Sequence, residues 1–249
     1  MRDPPSGDMP RQPRIELGGG MHHVTAKSPS RRVLFRNAAD CERYLELFAR
    51  EVQERRWRVL TFCLMTNHLH VLLQTPEPDL GTGFKRIHEA YATEFNQRYD
   101  ESGHVFGSRF YSGLVKDDRH VVACLRYIAR NPVKAAMCAQ PRDWRWSGDR
   151  ALCGWSPPPA FLDVDAAYEY LGDDIESARR AYIELVGLSN LDLLGRLERE
   201  HPDRWVVYAV EHHGIPVREL AEFLDITTSA VYRRMRTART CGDRPLSGV

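Results

Sequence analysis

Trp57–Met65 (WRVLTFCLM) and Leu69–Gln74 (LHVLLQ), joined through Thr66-Asn67-His68, are the two runs whose reading decides the fold. The first is rich in β-branched and aromatic residues and reads as a strand. Thr66–Asn67 makes a tight turn, and the second run returns beside the first as a hairpin. Upstream, Ala38–Arg56 places Tyr44, Leu45, Leu47, Phe48 and Val52 at helical spacing, and Met21–Ala26 (MHHVTA) reads as a short strand. Downstream, the pattern predicts a helix over Leu80–Tyr99, a loop over Gly103–Phe110, a strand over Tyr111–Lys116 and a helix over Arg119–Ala129. Pro132 is expected to end that last helix near Asn131. The order is strand, helix, strand, strand, helix, strand, then a further helix. This is the α+β, ferredoxin-like split βαβ arrangement with an antiparallel sheet. The fold alone does not name a chemistry.

Composition narrows the classes. The 249 residues are 43% hydrophobic and 28% charged, which disfavours a wholly disordered or collagen-like chain. No apolar run reaches the roughly 18 residues of a membrane-spanning helix, so no membrane partner is expected. The first twenty residues lack the apolar core of a secretory signal, and the six cysteines form no CxxC pair. Both features point to a reducing cytoplasm, with nucleoid association if the partner is DNA. Net charge is only +1, but residues 9–36 carry six bases against Glu16, and residues 126–145 carry five against Asp143. Residues 161–200 hold ten acids and four bases. Basic segments beside an acidic one suit a surface that meets a polyanion, or solvated faces whose charges cancel. The chain divides into a Pro- and Gly-rich, disordered lead-in (1–20), the α+β domain (21–150), an acidic helical connector (151–200) and a C-terminal unit (201–249).

Asn67-His68-Leu69-His70 carries the first chemical signal. On a strand His68 and His70 share a face and Leu69 points away. Two imidazoles about 6–7 Å apart along one face can bind one metal ion, though a lone HxH also occurs by chance. Leu69, Val71 and Leu73 would pack on the core, leaving His70, Leu72 and Gln74 on the other face. On the later helix, Val121, Cys124, Leu125 and Ile128 form an apolar stripe. Tyr127 falls at its edge, with Asn131 one turn on and on the same side. Amide oxygen and imidazole nitrogen are acceptable ligands for a hard divalent ion, so His68, His70 and Asn131 are candidates to hold Mg2+ or Mn2+. The bland reading makes Tyr127 a core-edge aromatic and Asn131 a helix-end residue.

The C-terminal unit reads as a helix-turn-helix domain. Pro216–Leu224 is amphipathic, Asp225-Ile226-Thr227 is the turn, and Thr228–Arg239 is the next helix, capped by Thr227 or Thr228. Ala221, Ile226 and Val231 sit where the two helices would pack. The second helix presents Tyr232, Arg233, Arg234, Arg236 and Arg239 with no acids, which suits insertion into the major groove of duplex DNA. A packing or dimerisation hairpin is the competing interpretation.

Four motifs together resemble the REP-associated tyrosine transposases, a branch of the single-tyrosine HUH transposase and nuclease superfamily. Met21–Ser28 (MHHVTAKS) is similar to that family's HVTxRG strand, with Lys27 and Ser28 in place of Arg and Gly. Met65–Gln74 (MTNHLHVLLQ) is similar to its MPNHxHLL. Phe95–Asp118 resembles its GHxxQGRF region, with Gly107-Ser108 where Gln-Gly is usual. Leu125–Met137 with Asp143–Gly148 resembles its RYIHxNPVRAG and WxWSS. The match covers about residues 10–190. The resemblance implies a metal-dependent endonuclease and strand transferase acting on single-stranded DNA, usually at hairpins of short palindromic repeats. It implies His68 and His70 as metal ligands, Asn131 as the third, and Tyr127 as the nucleophile forming a 5′-phosphotyrosine link. Arg109, Arg126 and Arg130 are implied or adjacent phosphate contacts. It leaves monomer and homodimer both open. The general base also stays open among His22, His23, His104 and His120. Two other classes compete: a DNA-binding regulator that uses the helix-turn-helix without cutting, and a phosphodiesterase that uses water, with Tyr127 structural.

Overall fold

The computed structural model describes residues 16–107, 109–187, 190–211, 215, 217–224 and 226–241. Residues 1–15 of the lead-in, Ser108, Pro216 and Asp225 lie outside the described residues. A four-stranded sheet is built from β1 (Met21–Lys27), β2 (Arg58–Leu64), β3 (His68–Gln74) and β4 (Tyr111–Leu114). Its order is β2-β3-β1-β4, and every neighbouring pair is antiparallel. Between the strands run α1 (Ala38–Arg55) and α2 (Leu80–Tyr99), and α3 (Asp118–Lys134) follows β4. This is the α+β, split βαβ topology expected from the sequence.

Local signals account for the element ends. The Asn37 side chain accepts from Asp40 N–H and starts α1, which stops at Arg56 in the left-handed region (φ 55°). The Asp117 side chain accepts from His120 N–H at 2.8 Å and starts α3. The alternation on β3 sends Leu69, Val71 and Leu73 into a core with α1 and α2, whereas Leu72 joins a second core beneath α3. Asp40, 1% exposed, accepts from Arg98 at 2.7 Å and from the Tyr99 hydroxyl at 2.8 Å, tying α1 to the end of α2.

Of the expected boundaries that differ, two lie beside the cleft. β4 stops at Leu114, short of Lys116. α3 runs through Pro132 to Lys134 and does not end near Asn131. Proline costs the helix the N–H that would bond the Ile128 carbonyl. The final turn is nevertheless closed by Ala135 N–H to the Asn131 carbonyl and Met137 N–H to the Pro132 carbonyl, both 2.9 Å, and Pro132 itself is buried.

The acidic stretch is divided between two cores. α4 (Asp149–Leu152), α5 (Val164–Tyr168) and α6 (Ile175–Gly187) pack with α3 over the second face of the sheet through Leu152, Ala167, Tyr168, Ala178 and Tyr182. α7 (Asn190–Glu200) packs with the C-terminal helices α8 (Trp205–Glu211), α9 (Val217–Phe223) and α10 (Thr228–Cys241) through Leu193, Leu194 and Leu197. Among the described residues no helix is long and apolar enough to cross a membrane.

Asp149, the first residue of α4, is 1% exposed and accepts from the Tyr182 hydroxyl of α6 at 3.0 Å. Burial pushes its carboxyl up from the ordinary range to about 6, against the smaller opposing effects of Tyr182 and Cys153. The folded state therefore holds a proton that the unfolded state releases between pH ~4 and ~6. This contribution to stability is full below about pH 4 and is lost as pH rises to about 6, a cost of at most about 3 kcal/mol. Asp149→Asn keeps an acceptor for Tyr182 and removes the charge. It should raise the melting temperature relative to wild type at pH 8, with a smaller gain at pH 5; thermal melts at the two pH values check this.

Candidate functional site

The register of the central strands assembles the site. β1 pairs with β3 so that Thr25 lies opposite His70 and Lys27 opposite His68, and with β4 so that Thr25 lies opposite Tyr111. His23, Thr25 and Lys27 alternate onto the face that carries His68 and His70. α3 crosses this face and presents His120, Ala123, Cys124 and Tyr127, spaced at i, i+3, i+4 and i+7, to a cleft of about 700 Å³. The cleft floor is His23, Thr25 and His70, its outer wall holds Lys27, Tyr111 and Lys116, and α8 adds Val210.

The rings are close. His68 and His70 have ring centres 5.0 Å apart, and His70 and Tyr127 5.5 Å in an edge-to-face arrangement. His23 lies 5.7 Å from Tyr127. The far nitrogens of both HxH imidazoles are engaged: His68 Nδ1 lies 2.7 Å from Asn67 Oδ1. His70 Nδ1 lies 3.0 Å from His23 Nε2 and 3.1 Å from Thr25 Oγ1. Burial, then the Lys27 charge, lowers His68 to about 4. Burial, then His120, lowers His23 to about 4. His70 is held well below its ordinary value by burial and then by His23, His68 and Lys27. All three rings are therefore neutral at pH 7, the form that donates a lone pair.

Asn131 is buried one turn beyond Tyr127. Its Nδ2 donates to the Tyr127 carbonyl at 2.8 Å, which leaves Oδ1 as the polar atom not committed to the helix. It does not line the cleft that holds Tyr127 and His70. Among the described residues no group of three or more His, Cys, Asp or Glu is placed to hold a metal ion. The chemistry of the pair suits a divalent ion. With metal–nitrogen bonds of about 2.1 Å, two imidazoles on one ion have ring centres roughly 5 Å apart, and each ring here has its other nitrogen held by a neighbour, as metal-binding histidines do.

The arginines separate. Arg109 is exposed on the loop before β4. Arg126 is buried, 3% exposed, and burial followed by the Arg130 charge pushes its guanidinium down to about 10. Arg130 donates to the Val186 carbonyl of α6 at 2.7 Å. These two arginines thus sit in the packing of α3 against later helices. On α10, Tyr232 is 60% exposed, and Arg233, Arg234 and Arg236 are exposed beside it. Val231 and Met235 turn into the core, and Thr227 Oγ1 accepts from Ala230 N–H at 3.2 Å at the helix start.

Sequence reasoning left His23 and His120 unranked and missed Thr25, Lys27, Tyr111 and Lys116 as cleft residues. The first-strand alternation of His23, Thr25 and Lys27 was the available signal. So was the spacing of His120 seven residues before Tyr127.

The family model described as "Transposase IS200 like" matches residues 19–131. Those residues are similar to the IS200-like transposase family. The matched segment begins before β1 and ends on Asn131, so it contains every residue of the HxH and tyrosine cluster. A REP-associated tyrosine transposase of Haemophilus influenzae is 33% identical over 103 residues, covering 36% of this chain and 58% of that protein. The chain thus spans under two thirds of that relative's length. Among solved structures, a REP-associated tyrosine transposase bound to a REP hairpin matches with a TM-score of 0.53 at 16% identity, over 67% of this chain and 93% of that one. That likeness concerns the fold alone.

Proposed function

We propose that the chain cuts and rejoins single-stranded DNA at hairpins, with Tyr127 as nucleophile beside a divalent ion held by His68, His70 and Asn131. The observation that carries this reading is the Tyr127 ring, 5.5 Å from His70 across the cleft, within a segment similar to the IS200-like transposase family. One chain brings both halves of the cluster together, so a monomer suffices.

The chemistry is a phosphoryl transfer. Tyr127 Oη bonds to the phosphorus, the bond to the 3′ oxygen breaks, and the product is a 5′-phosphotyrosine with a free 3′-OH. The phenol loses one proton and the 3′ oxygen gains one. Attack of a 3′-OH on the link reverses the step, so the bond energy is retained and no nucleotide cofactor is needed. Bound Mg2+ or Mn2+ supplies Lewis-acid polarisation of the phosphate oxygen. Neutral His68 and His70 supply its nitrogen ligands and Asn131 an amide oxygen. Lys27 and Lys116 offer charge to the DNA backbone, and exposed Tyr111 offers a ring on which a base can stack. Arg109 is a further phosphate contact from the loop.

End-labelled single-stranded hairpins, taken from repeats flanking the gene, test this in the presence and absence of Mn2+. Metal-dependent cleavage that leaves the 3′ fragment on the protein is the expected result. Cleavage that leaves no label on the protein would favour attack by water, and binding without cleavage would favour a regulator.

The C-terminal helices give a second DNA surface, for duplex, along the exposed face of α10. Arg233→Ala, Arg234→Ala and Arg236→Ala combined should weaken duplex binding. The combined change should also flatten the dependence of log affinity on log salt by about 0.9 for each phosphate that is no longer neutralised. Filter binding between 50 and 200 mM salt measures it, with hairpin cleavage retained.

A further inference from the structure

We propose that His23 is a positioning residue that fixes the tautomer of His70, so that His70 presents a lone pair at Nε2 to the cation. This rests on the metal-dependent reading above and adds a residue to it. His23 Nε2 and His70 Nδ1 are 3.0 Å apart. Two neutral ring nitrogens at that distance share one proton, and there are two ways to place it. If His70 Nδ1 carries the proton and His23 accepts, His70 Nε2 bears a lone pair. If His23 donates, His70 carries its proton on Nε2 and is lost as a ligand. Thr25 Oγ1, 3.1 Å from the same His70 nitrogen, is a second acceptor for that proton.

The metal-dependent reading selects the first of the two. His68 Nδ1 faces Asn67 Oδ1 at 2.7 Å, and a carbonyl oxygen only accepts, so His68 is protonated on Nδ1 and offers Nε2. With ring centres 5.0 Å apart, the pair chelates one ion only if His70 matches it. His23 is thus to His70 what Asn67 is to His68. Removing such a partner of a metal-binding histidine typically weakens metal affinity about 10–100-fold.

Three readouts test this. In uncleaved protein with 15N-labelled histidine, long-range 1H–15N spectra should show His70 protonated on Nδ1, assigned by loss of its signals in His70→Asn. Mn2+ titrations followed by electron paramagnetic resonance should show at least tenfold weaker binding in His23→Leu. His23→Gln, whose Oε1 restores an acceptor, should bind within about threefold of wild type. Circular-dichroism spectra of the metal-free proteins should be the same in all three and report that the variants fold. His70 protonated on Nε2 in the wild type overturns the proposal even if a variant fails to fold. So does equal Mn2+ affinity in His23→Leu and wild type, or the absence of Mn2+ binding by the wild type. Wild-type protein that binds Mn2+ with the expected tautomer and leaves hairpin DNA uncut would sink the cleavage reading and keep this one.

Discussion

Tyr127→Phe should lower hairpin cleavage at least about 1000-fold and abolish covalent capture, while hairpin binding stays within about twofold of wild type. The substitution removes one oxygen from a ring that is half-buried at the edge of the apolar stripe of α3. The ring keeps its edge contacts with His23 and His70, so the fold and the cleft shape persist. The loss falls on the step in which Oη attacks phosphorus, and a 1000-fold drop corresponds to about 4 kcal/mol of transition-state stabilisation. Single-turnover cleavage at saturating protein separates this from a binding defect. A Phe variant that cuts at wild-type rates would make Tyr127 structural.

His68→Ala and His70→Ala should each remove metal-stimulated cleavage, with His70→Ala also disturbing the His23 and Thr25 contacts. The expected loss is of the order of 100-fold or more, since Lewis-acid stabilisation contributes several kcal/mol. The two variants should share one phenotype and their effects should not add, because a two-nitrogen site that has lost one nitrogen has lost the ion. His70 is 4% exposed, so its replacement leaves a small void that the His68 variant does not. Cleavage against Mn2+ concentration distinguishes the cases: a weakened site recovers at high metal, whereas an unfolded one does not.

The layering of the fold was legible because alternation and helical spacing are short-range properties. Leu69, Val71 and Leu73 read as core residues, and they are in the core with α1 and α2. The end of α3 was not legible. The Pro132 rule is local, whereas the last turn is closed by bonds from Ala135 and Met137 that lie beyond the proline. Among the site residues, His68, His70, Tyr127 and Asn131 stood out because each pair is near in sequence. The pairing of Thr25 with His70 and of Thr25 with Tyr111 is set by strand register across 45 and 86 residues, which no local pattern carries. The same limit applies to Arg126. As a base beside the tyrosine it looked like a phosphate contact, yet the helices that follow α3 bury it.

The central claim is that Tyr127 Oη forms the bond to DNA. The most direct test is to trap the wild-type protein on a hairpin oligonucleotide with Mn2+, digest both protein and DNA, and sequence the modified peptide by mass spectrometry. The account predicts a nucleotide joined through its 5′ phosphate to Tyr127, and to no other residue. A trapped nucleotide on a different side chain, or complete cleavage with every tyrosine unmodified, would contradict it.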